Sequence, residues 1–362
     1  MEKKALIAMS GGVDSSVAAL LCQQAGFDCM GVTLKLYDNE DAGLPREKTC
    51  CSVDDVADAR SVAFRLGMPF YVFNFKEAFR REVMDRFVQA YERGETPNPC
   101  VDCNRYIKFE KLMRRGEEVG FPYIATGHYA RVEFDGAAGR WLLKKGLDEN
   151  KDQSYMLWSL TQWELSRLLL PLGGLTKERV RQLAEEHGFL NARKRDSQDI
   201  CFVPDGDYAA FIRRYAGKEF PPGAFVGTQG QVYGQHKGII HYTVGQRKGL
   251  GLSFPQPMFV KELDVEKNRV VLAKAEELFS QEVIARDINL ISVESIPAPL
   301  RVKARVRYRQ KEQPATVLQT GPCELRVVFD QPQRAVTPGQ AVVFYDGDLV
   351  IGGATIQKGR ES

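Results

Sequence analysis

The sequence predicts an α/β protein in which a helix-covered parallel sheet is followed by a smaller middle segment and a strand-rich C-terminal one. Through the first third, short apolar runs alternate with helical patterns, the signature of a parallel sheet. A turn reading "SGGVDSS" joins the first strand directly to the first helix. From about residue 287 the chain changes to short strands with turn signals such as "TPGQ" and "DGD" between them.

The elements follow in order. "ALIAM" (5–9), "CMGVTLKLY" (29–37) and "PFYVFNF" (69–75) are three strands. A helix over 13–25 separates the first two and is closed by Gly26 at the C′ position. Ser52, with Asp55 three residues on, starts a second helix with Val56, Ala59, Ala63 and Leu66 on one face. "YIATGH" (123–128) is a fourth strand, and "RWLLKKG" (140–146) is read as a fifth in the same sheet. A capped helix runs from Thr176 to His187, ahead of Gly188. Loop 38–49 is polar, whereas loop 96–104 is stiffened by two prolines. After residue 203 the chain is rich in Gly, Pro and aromatics around "KGIIHYTVGQRKGLG". Boundaries near 205 and 282 divide it into 1–205, 206–282 and 283–362.

At 362 residues the chain is long enough for two or three domains. Its 44% hydrophobic and 27% charged content is that of a soluble globular protein. A net charge of +3 is too small to name a partner, so any nucleic-acid surface must be local. No apolar run approaches the ~18 residues of a membrane span. "MEKKALIAMS" enters a strand without a signal-peptide h-region, so the expected location is cytoplasmic, with no membrane partner. In that compartment the eight cysteines stay reduced unless metal-bound or catalytic.

"AMSGGVDSS" places two glycines where a strand meets a helix N-terminus, so backbone N–H groups and the helix dipole favour an anion. Ser10, Ser15 and Ser16 add hydroxyls. Asp14 would repel a bare phosphate, so its natural role is to hold a Mg²⁺ bound to one. The Walker-type G-x-x-x-x-G-K-[ST] is absent. The loop follows strand one of a parallel sheet, the favoured ligand crevice. Leu34, Lys35, Asn74, Gly127 and His128 fall at the same sheet edge. His187 and His236 read as structural, His128 as a site residue. SGGVDS resembles the PP-loop of the ATP pyrophosphatase superfamily, whose members cleave ATP between the α- and β-phosphates and adenylate a substrate.

"TPNPCVDCNRYIKFE" (96–110) carries a C-x-x-C, which can hold zinc, move electrons, ligate an iron–sulfur cluster or supply a nucleophile. Structural zinc needs four ligands, and no second pair supplies them. Cys100 and Cys103 with Cys201 would give three thiolates and one open position, an arrangement used by iron–sulfur clusters. Cys22 and Cys29 read as core, Cys323 as a turn residue, and Cys50 and Cys51 have no assigned role. "RVKARVRYRQK" (301–311) puts Arg301, Lys303, Arg305, Arg307, Arg309 and Lys311 at alternate positions. As one strand it would line a face with cations, which a polyanion would relieve.

Taken together, these motifs resemble the bacterial tRNA-specific 2-thiouridylases over nearly the whole chain. The carriers are "AMSGGVDSS", "TPNPCVDCNRYIKF", "ATGHYAR", "KDQSYML", "DSQDICF", "YTVGQRKGLG", "RYRQ" and "TPGQAVVFYDGDLVIGGATI". The resemblance implies a parallel-sheet PP-loop domain (N-type ATP pyrophosphatase, Rossmann-like), a small central domain and a C-terminal β-barrel that binds tRNA. It implies ATP-dependent 2-thiolation of uridine 34 in tRNAs for Lys, Glu and Gln. The 2-carbonyl oxygen would attack the α-phosphate, pyrophosphate would leave, and sulfur would displace AMP.

On the same resemblance, Ala8, Met9, Ser10, Gly11, Gly12, Val13, Asp14 and Ser15, with Leu34 and Gly127, hold ATP and its Mg²⁺. Asn98, Pro99 and Cys100 meet the flipped-out base. His128, Lys151, Asp152, Gln153, Arg309, Gln310 and Gln340 contact tRNA. Cys201 carries a persulfide from a sulfur-relay protein or cysteine desulfurase, and Cys103 is its catalytic partner. Nearby ATP-site cations would lower both thiol pKa values. The protein would act as a monomer. One departure matters: the family pattern N-P-D-x-x-C has Asp where this chain has Cys100. Related thiolases hold a [4Fe–4S] cluster through three cysteines, so Cys100, Cys103 and Cys201 leave the sulfur carrier open between persulfide and cluster.

Overall fold

The apolar runs of the first third stack as a parallel sheet because each is buried on both faces. In the computed structural model, which describes residues 2–38, 53–194 and 200–359, β1 (Lys4–Ala8) has Ala5, Leu6 and Ile7 fully buried. α1 (Val13–Gln24), β2 (Asp28–Lys35), α2 (Val53–Arg65) and β3 (Phe70–Asn74) follow. β4 (Tyr123–Ala125) lies on the other side of β1. The capping residue Ser52 falls outside the described residues, but Ala59 and Ala63 are buried as the periodicity requires. Gly26 has φ 80° and Gly188 φ 65°, as the two helix ends demand.

"RWLLKKG" is the first correction. It forms β6 (Arg140–Lys145), an antiparallel hairpin partner of β5 (Ala130–Asp135), and leaves the parallel sheet altogether. A strand in that sheet is buried on both faces and near-continuously apolar, whereas β6 begins with Arg140 and ends with Lys144 and Lys145. The fifth parallel strand is β7 (Leu168–Leu169), too short to leave a periodic signal. The order is β3-β2-β1-β4-β7, so the chain reverses direction between β1 and β4. That switch point opens a crevice beyond their carboxyl ends.

Two helical stretches cover this crevice. Lys76–Phe79, Arg80–Asp85 and Arg86–Glu92 run on without a break, as do Pro99–Asp102, Cys103–Lys111 and Leu112–Glu118. The middle piece of each is wound as a π-helix. Further on, α3 (Lys177–Glu186) is capped by Thr176, whose side chain accepts from the Arg179 N–H.

The middle segment contains α4 (Tyr208–Ala216) and strands β8 (Gly223–Gly227), β9 (Val232–His236), β10 (Phe259–Asp264) and β11 (Arg269–Ala273), paired β10-β11-β8-β9. Phe202, Phe211 and Phe225 join its core to that of the first segment. Last come β12 (Phe279–Leu290), β13 (Leu300–Arg305), β14 (Gln313–Gly321), β15 (Glu324–Arg334), β16 (Ala341–Asp346) and β17 (Leu349–Ile356). They close into a six-stranded antiparallel barrel through β12–β17, and β6 pairs with β17 at Leu349 and Lys144.

The basic run is the second correction. Val302, Ala304 and Val306 are buried as alternation predicts, but the strand ends at Arg305. Arg301 pairs with Asp330 at 2.8 Å, and Arg305 with Asp152 at 2.9 Å. Arg307 turns inward to donate to the carbonyls of Val244 and Ala335. Arg301, Arg305 and Arg307 are thus engaged by groups distant in sequence, so the six cations do not form one open row. Arg309 and Lys311 stay exposed.

Candidate active site

At the switch point the glycine loop is held from several sides. Gly11 has φ 74°, and a Cβ there would lie 2.4 Å from the Asp55 carbonyl oxygen, so only glycine fits. Ser15 Oγ accepts from the Ser10 N–H (3.2 Å) and donates to Gly12 O (3.0 Å). Asn191 Nδ2 donates to Gly11 O and Ser16 Oγ, both at 2.9 Å. Gly127 packs on the loop so closely that a Cβ would sit 2.8 Å from Asp14 C and Ser15 N.

Asp14 is already engaged. Tyr129 Oη donates to its Oδ1 at 2.8 Å, and Lys177 Nζ reaches Oδ1 and Oδ2 at 2.7 and 2.8 Å. The other carboxylate at the loop, Asp55, is bound by Lys194 at 2.6 Å. Among the described residues no three His, Cys, Asp or Glu groups converge as metal ligands. These residues do not form a ready Mg²⁺ cage. They fit an ion that arrives on nucleotide phosphates and takes one carboxylate. Tyr129, Lys177 and Asn191 went unnoticed in the sequence. Only Tyr129 had a signal there, as the residue after "ATGH".

A cavity of about 1210 Å³ opens from this loop, beyond the usual 300–1,000 Å³ of a small-molecule pocket. Ala8, Met9, Ser10, Gly12, Val13, Asp14, Ser15, Leu34 and Gly127 line it, whereas Gly11 is buried against Asp55. Pro99, Cys100, Cys103 and Cys201 also line it. Residues far apart in sequence thus share one chamber.

The thiols differ in setting. Asn98 caps the helix after it, accepting from the Cys100 N–H at 3.2 Å, so it shapes the cysteine loop without lining the cavity. Cys100 is exposed, Cys201 half-buried and Cys103 buried. Tyr37 Oη donates to the Cys201 carbonyl at 2.6 Å. Burial pushes the Cys103 thiol up to about 11, against the expected lowering. Lys108 opposes that rise, while Cys100 and Asp102 add to it. Cys100, Cys103 and Cys201 are not a preformed cluster site, since no three ligating side chains converge among the described residues. Cys50, Cys51 and most of "DSQDICF" lie outside those residues.

Lys108 also lines the cavity. Its Nζ donates to Asn104 Oδ1 at 3.0 Å, and Asn104 Nδ2 donates to the Met156 carbonyl at 3.1 Å. The π-winding also turns Cys103 and Lys108, five positions apart, toward one side of the helix. At roughly 4.4 residues per turn, positions five apart lie about 50° from one another, whereas an α-helix would separate them by about 140°.

Several residues expected to contact tRNA are tied to neighbouring groups of the protein. His128 is buried with Nδ1 2.8 Å from Thr126 Oγ1; burial, then Lys108, drives its pKa well below the usual range, so the ring is neutral. The Asp152 carboxylate accepts from Gly146 N, Ser154 N, Ser154 Oγ and Arg305 Nη2. Gln153 Oε1 accepts from the Tyr129 N–H at 3.0 Å, and Gln310 Nε2 donates to Gln333 at 2.7 Å. Gln340 Nε2 donates to the Thr96 carbonyl at 2.6 Å, outside the cavity lining. His128, Lys151, Asp152, Gln153, Arg309 and Gln310 all line the cavity. His187 and His236 bond to nearby backbone groups, as structural histidines do.

Residues 3–205 match the family described as tRNA methyl transferase HUP domain. Residues 209–274 match a tRNA methyl transferase PRC-barrel domain, and 280–356 an aminomethyltransferase beta-barrel domain. Fold and phosphate loop define the class: an ATP-using HUP-domain enzyme. The chain is 49% identical over 358 residues to the tRNA-specific 2-thiouridylase MnmA of Clostridioides difficile, covering 99% of each. It is 50% identical over 357 residues to the protein of that name from Acetivibrio thermocellus (98% of this chain, 99% of the other). It is also 50% identical over 357 residues to that from Carboxydothermus hydrogenoformans (98% of each). The chain belongs to the tRNA-specific 2-thiouridylase family.

Proposed function

We propose that this enzyme replaces the 2-oxygen of uridine 34 with sulfur in tRNAs for Lys, Glu and Gln, at the expense of ATP. The observation that carries the reading is a single cavity lined by both the phosphate loop and three cysteines, Cys100, Cys103 and Cys201. A pocket of about 1210 Å³ has room for a nucleotide and an extruded base together. Relatives named 2-thiouridylases align end to end with the chain, and the thiols suit sulfur transfer better than the methyl transfer in the domain descriptions.

Carbonyl oxygen is a poor leaving group, and adenylation turns it into a good one. The uridine O2 would attack the α-phosphate of ATP and release pyrophosphate, with loop N–H groups and Lys194 facing the developing negative charge. Mg²⁺ carried on the phosphates would add Lewis-acid stabilisation when bound. Cys201 would hold a persulfide received from a donor protein. Attack of the Cys103 thiolate on Cys201 Sγ breaks the S–S bond, forms a Cys103–Cys201 disulfide and expels hydrosulfide. Hydrosulfide adds to C2, AMP departs with the oxygen, and a thiol reductant restores both cysteines. Lys108 stabilises the thiolate that begins the step. A [4Fe–4S] carrier on Cys100, Cys103 and Cys201 is the alternative, and would require those residues to rearrange.

The test is mass spectrometry of tRNA nucleosides after incubation with ATP and a persulfide donor. Cys103→Ser and Cys201→Ser should each abolish 2-thiouridine while ATP–pyrophosphate exchange in the presence of tRNA persists. Cys100→Ala should retain at least a third of the activity. Loss of activity in Cys100→Ala, with about four irons per wild-type chain, would replace the persulfide route by the cluster.

A further inference from the structure

The central segment carries a feature that this reaction scheme leaves unused, the loop "TVGQRKGLG" at residues 243–251. It is built stiff. The Gly245 N–H donates to Val260 O at 2.7 Å, the Gln246 N–H to Thr243 O at 3.0 Å, and Gln246 Oε1 accepts from the Thr243 N–H at 3.0 Å. Gln246 Nε2 then donates to Lys248 O at 3.0 Å, and Leu250 is buried in the core. With both ends pinned, Arg247 and Lys248 project at the tip, and both are exposed. Neither side chain has an ion-pair or hydrogen-bond partner among the described residues, unlike Arg301 and Arg305.

The loop sits where the three segments meet. Tyr91 of the first segment hydrogen-bonds Thr243. Arg307 of the barrel segment donates to the Val244 carbonyl at 3.1 Å, and a Cβ on Gly245 would lie 2.9 Å from Ala335 Cβ. Arg247 is two residues beyond Gly245, and Arg309, at the cavity, is two residues beyond Arg307. Two residues reach at most about 7 Å, so both cations stay close to that junction. Held side by side without acidic relief, Arg247 and Lys248 match the repeating charge of a phosphodiester backbone.

We infer that the tip Arg247–Lys248 is a phosphate clamp for the RNA strand leading to the target base. The inference rests on the tRNA reading above and adds a binding site in the central segment. Tight glycine turns hold the clamp in place before RNA arrives, so little ordering is needed on binding.

The test compares full-length wild type with Arg247→Ser/Lys248→Ser in tRNA binding across a KCl series. Losing two phosphate contacts should weaken binding about tenfold near 0.1 M salt and flatten the log–log salt slope by about 1.4–1.8. ATP affinity and Tm should be unchanged, and the charge-keeping Arg247→Lys/Lys248→Arg should bind like wild type. An unchanged slope in the double-serine variant overturns the clamp. If the slope is unchanged and thiolation falls with a protein sulfur donor but not with inorganic sulfide, the tip docks that protein instead. Wild type that fails to bind tRNA at all would sink the underlying reading with it.

Discussion

Lys108 and Cys103 both line the cavity from a segment wound as a π-helix, and the Lys108 charge opposes the rise of the Cys103 thiol, which sets a pH dependence. Burial holds the Cys103 thiol near 11, so its reactive thiolate is scarce at neutral pH and grows tenfold per unit as pH rises. The sulfur-release step, measured by single-turnover thiolation with preloaded enzyme, should therefore accelerate from pH 7 to 9. Lys108→Met removes the opposing cation. Its rate at pH 7.5 should fall about tenfold, corresponding to a pKa rise of about one unit. Lys108→Arg should recover much of the rate, and ATP–pyrophosphate exchange should not change. A flat pH profile would remove the thiolate from the rate-limiting step. This pairing could not be read from the sequence, where five-residue spacing on an assumed α-helix puts the two groups on different sides. The thiols themselves were legible, because a C-x-x-C outside a zinc pattern has few uses.

Among the elements, the junction of β1 and α1 was the most legible, since glycines, hydroxyls and an acid in one strand-to-helix turn have few structural excuses. Its support was hidden. Lys177 and Asn191 come from more than 160 residues away, and neither belongs to a local pattern. Gly127 belongs to the same element by contact. Gly127→Ala would push a methyl into the Asp14 and Ser15 backbone, with the nearest atoms at 2.8 Å. ATP affinity should drop at least tenfold while Tm falls only a few degrees, as isothermal titration and thermal melts would show; unchanged affinity would mean that the loop can shift freely. The 301–311 run shows the opposite case. Alternation was legible as far as Arg305, but the acids that neutralise it lie on β15 and in the turn before Ser154. A pattern read along one strand cannot see charges supplied across a fold.

In the whole molecule the barrel grips the cysteine loop. The Thr96 N–H donates to Pro338 O at 2.9 Å, and Gln340 Nε2 returns a bond to Thr96 O. Asp287, at φ 56° beside an irregularity in β12, takes both ends of the Arg105 guanidinium. Both contacts flank Cys100 and Cys103, so the barrel holds the loop's shape as well as its position. Gln340→Ala should lower the thiolation kcat several-fold while changing tRNA Kd less than threefold, because the side chain faces the loop and not the cavity. A loss confined to tRNA affinity would instead make it an RNA contact.

The hairpin β5–β6 belongs in sequence to the first segment, yet among the described residues its outer edge pairs with β17. That has a consequence for birth on the ribosome. About 200 residues separate Lys144 from Leu349, so at 5–20 residues per second the hairpin waits roughly 10–40 s for its neighbour. Throughout that interval an unpaired strand edge is available to other nascent chains. The charges that keep β6 out of the parallel sheet, Arg140, Lys144 and Lys145, also make that edge a poor template for other chains until synthesis is nearly finished.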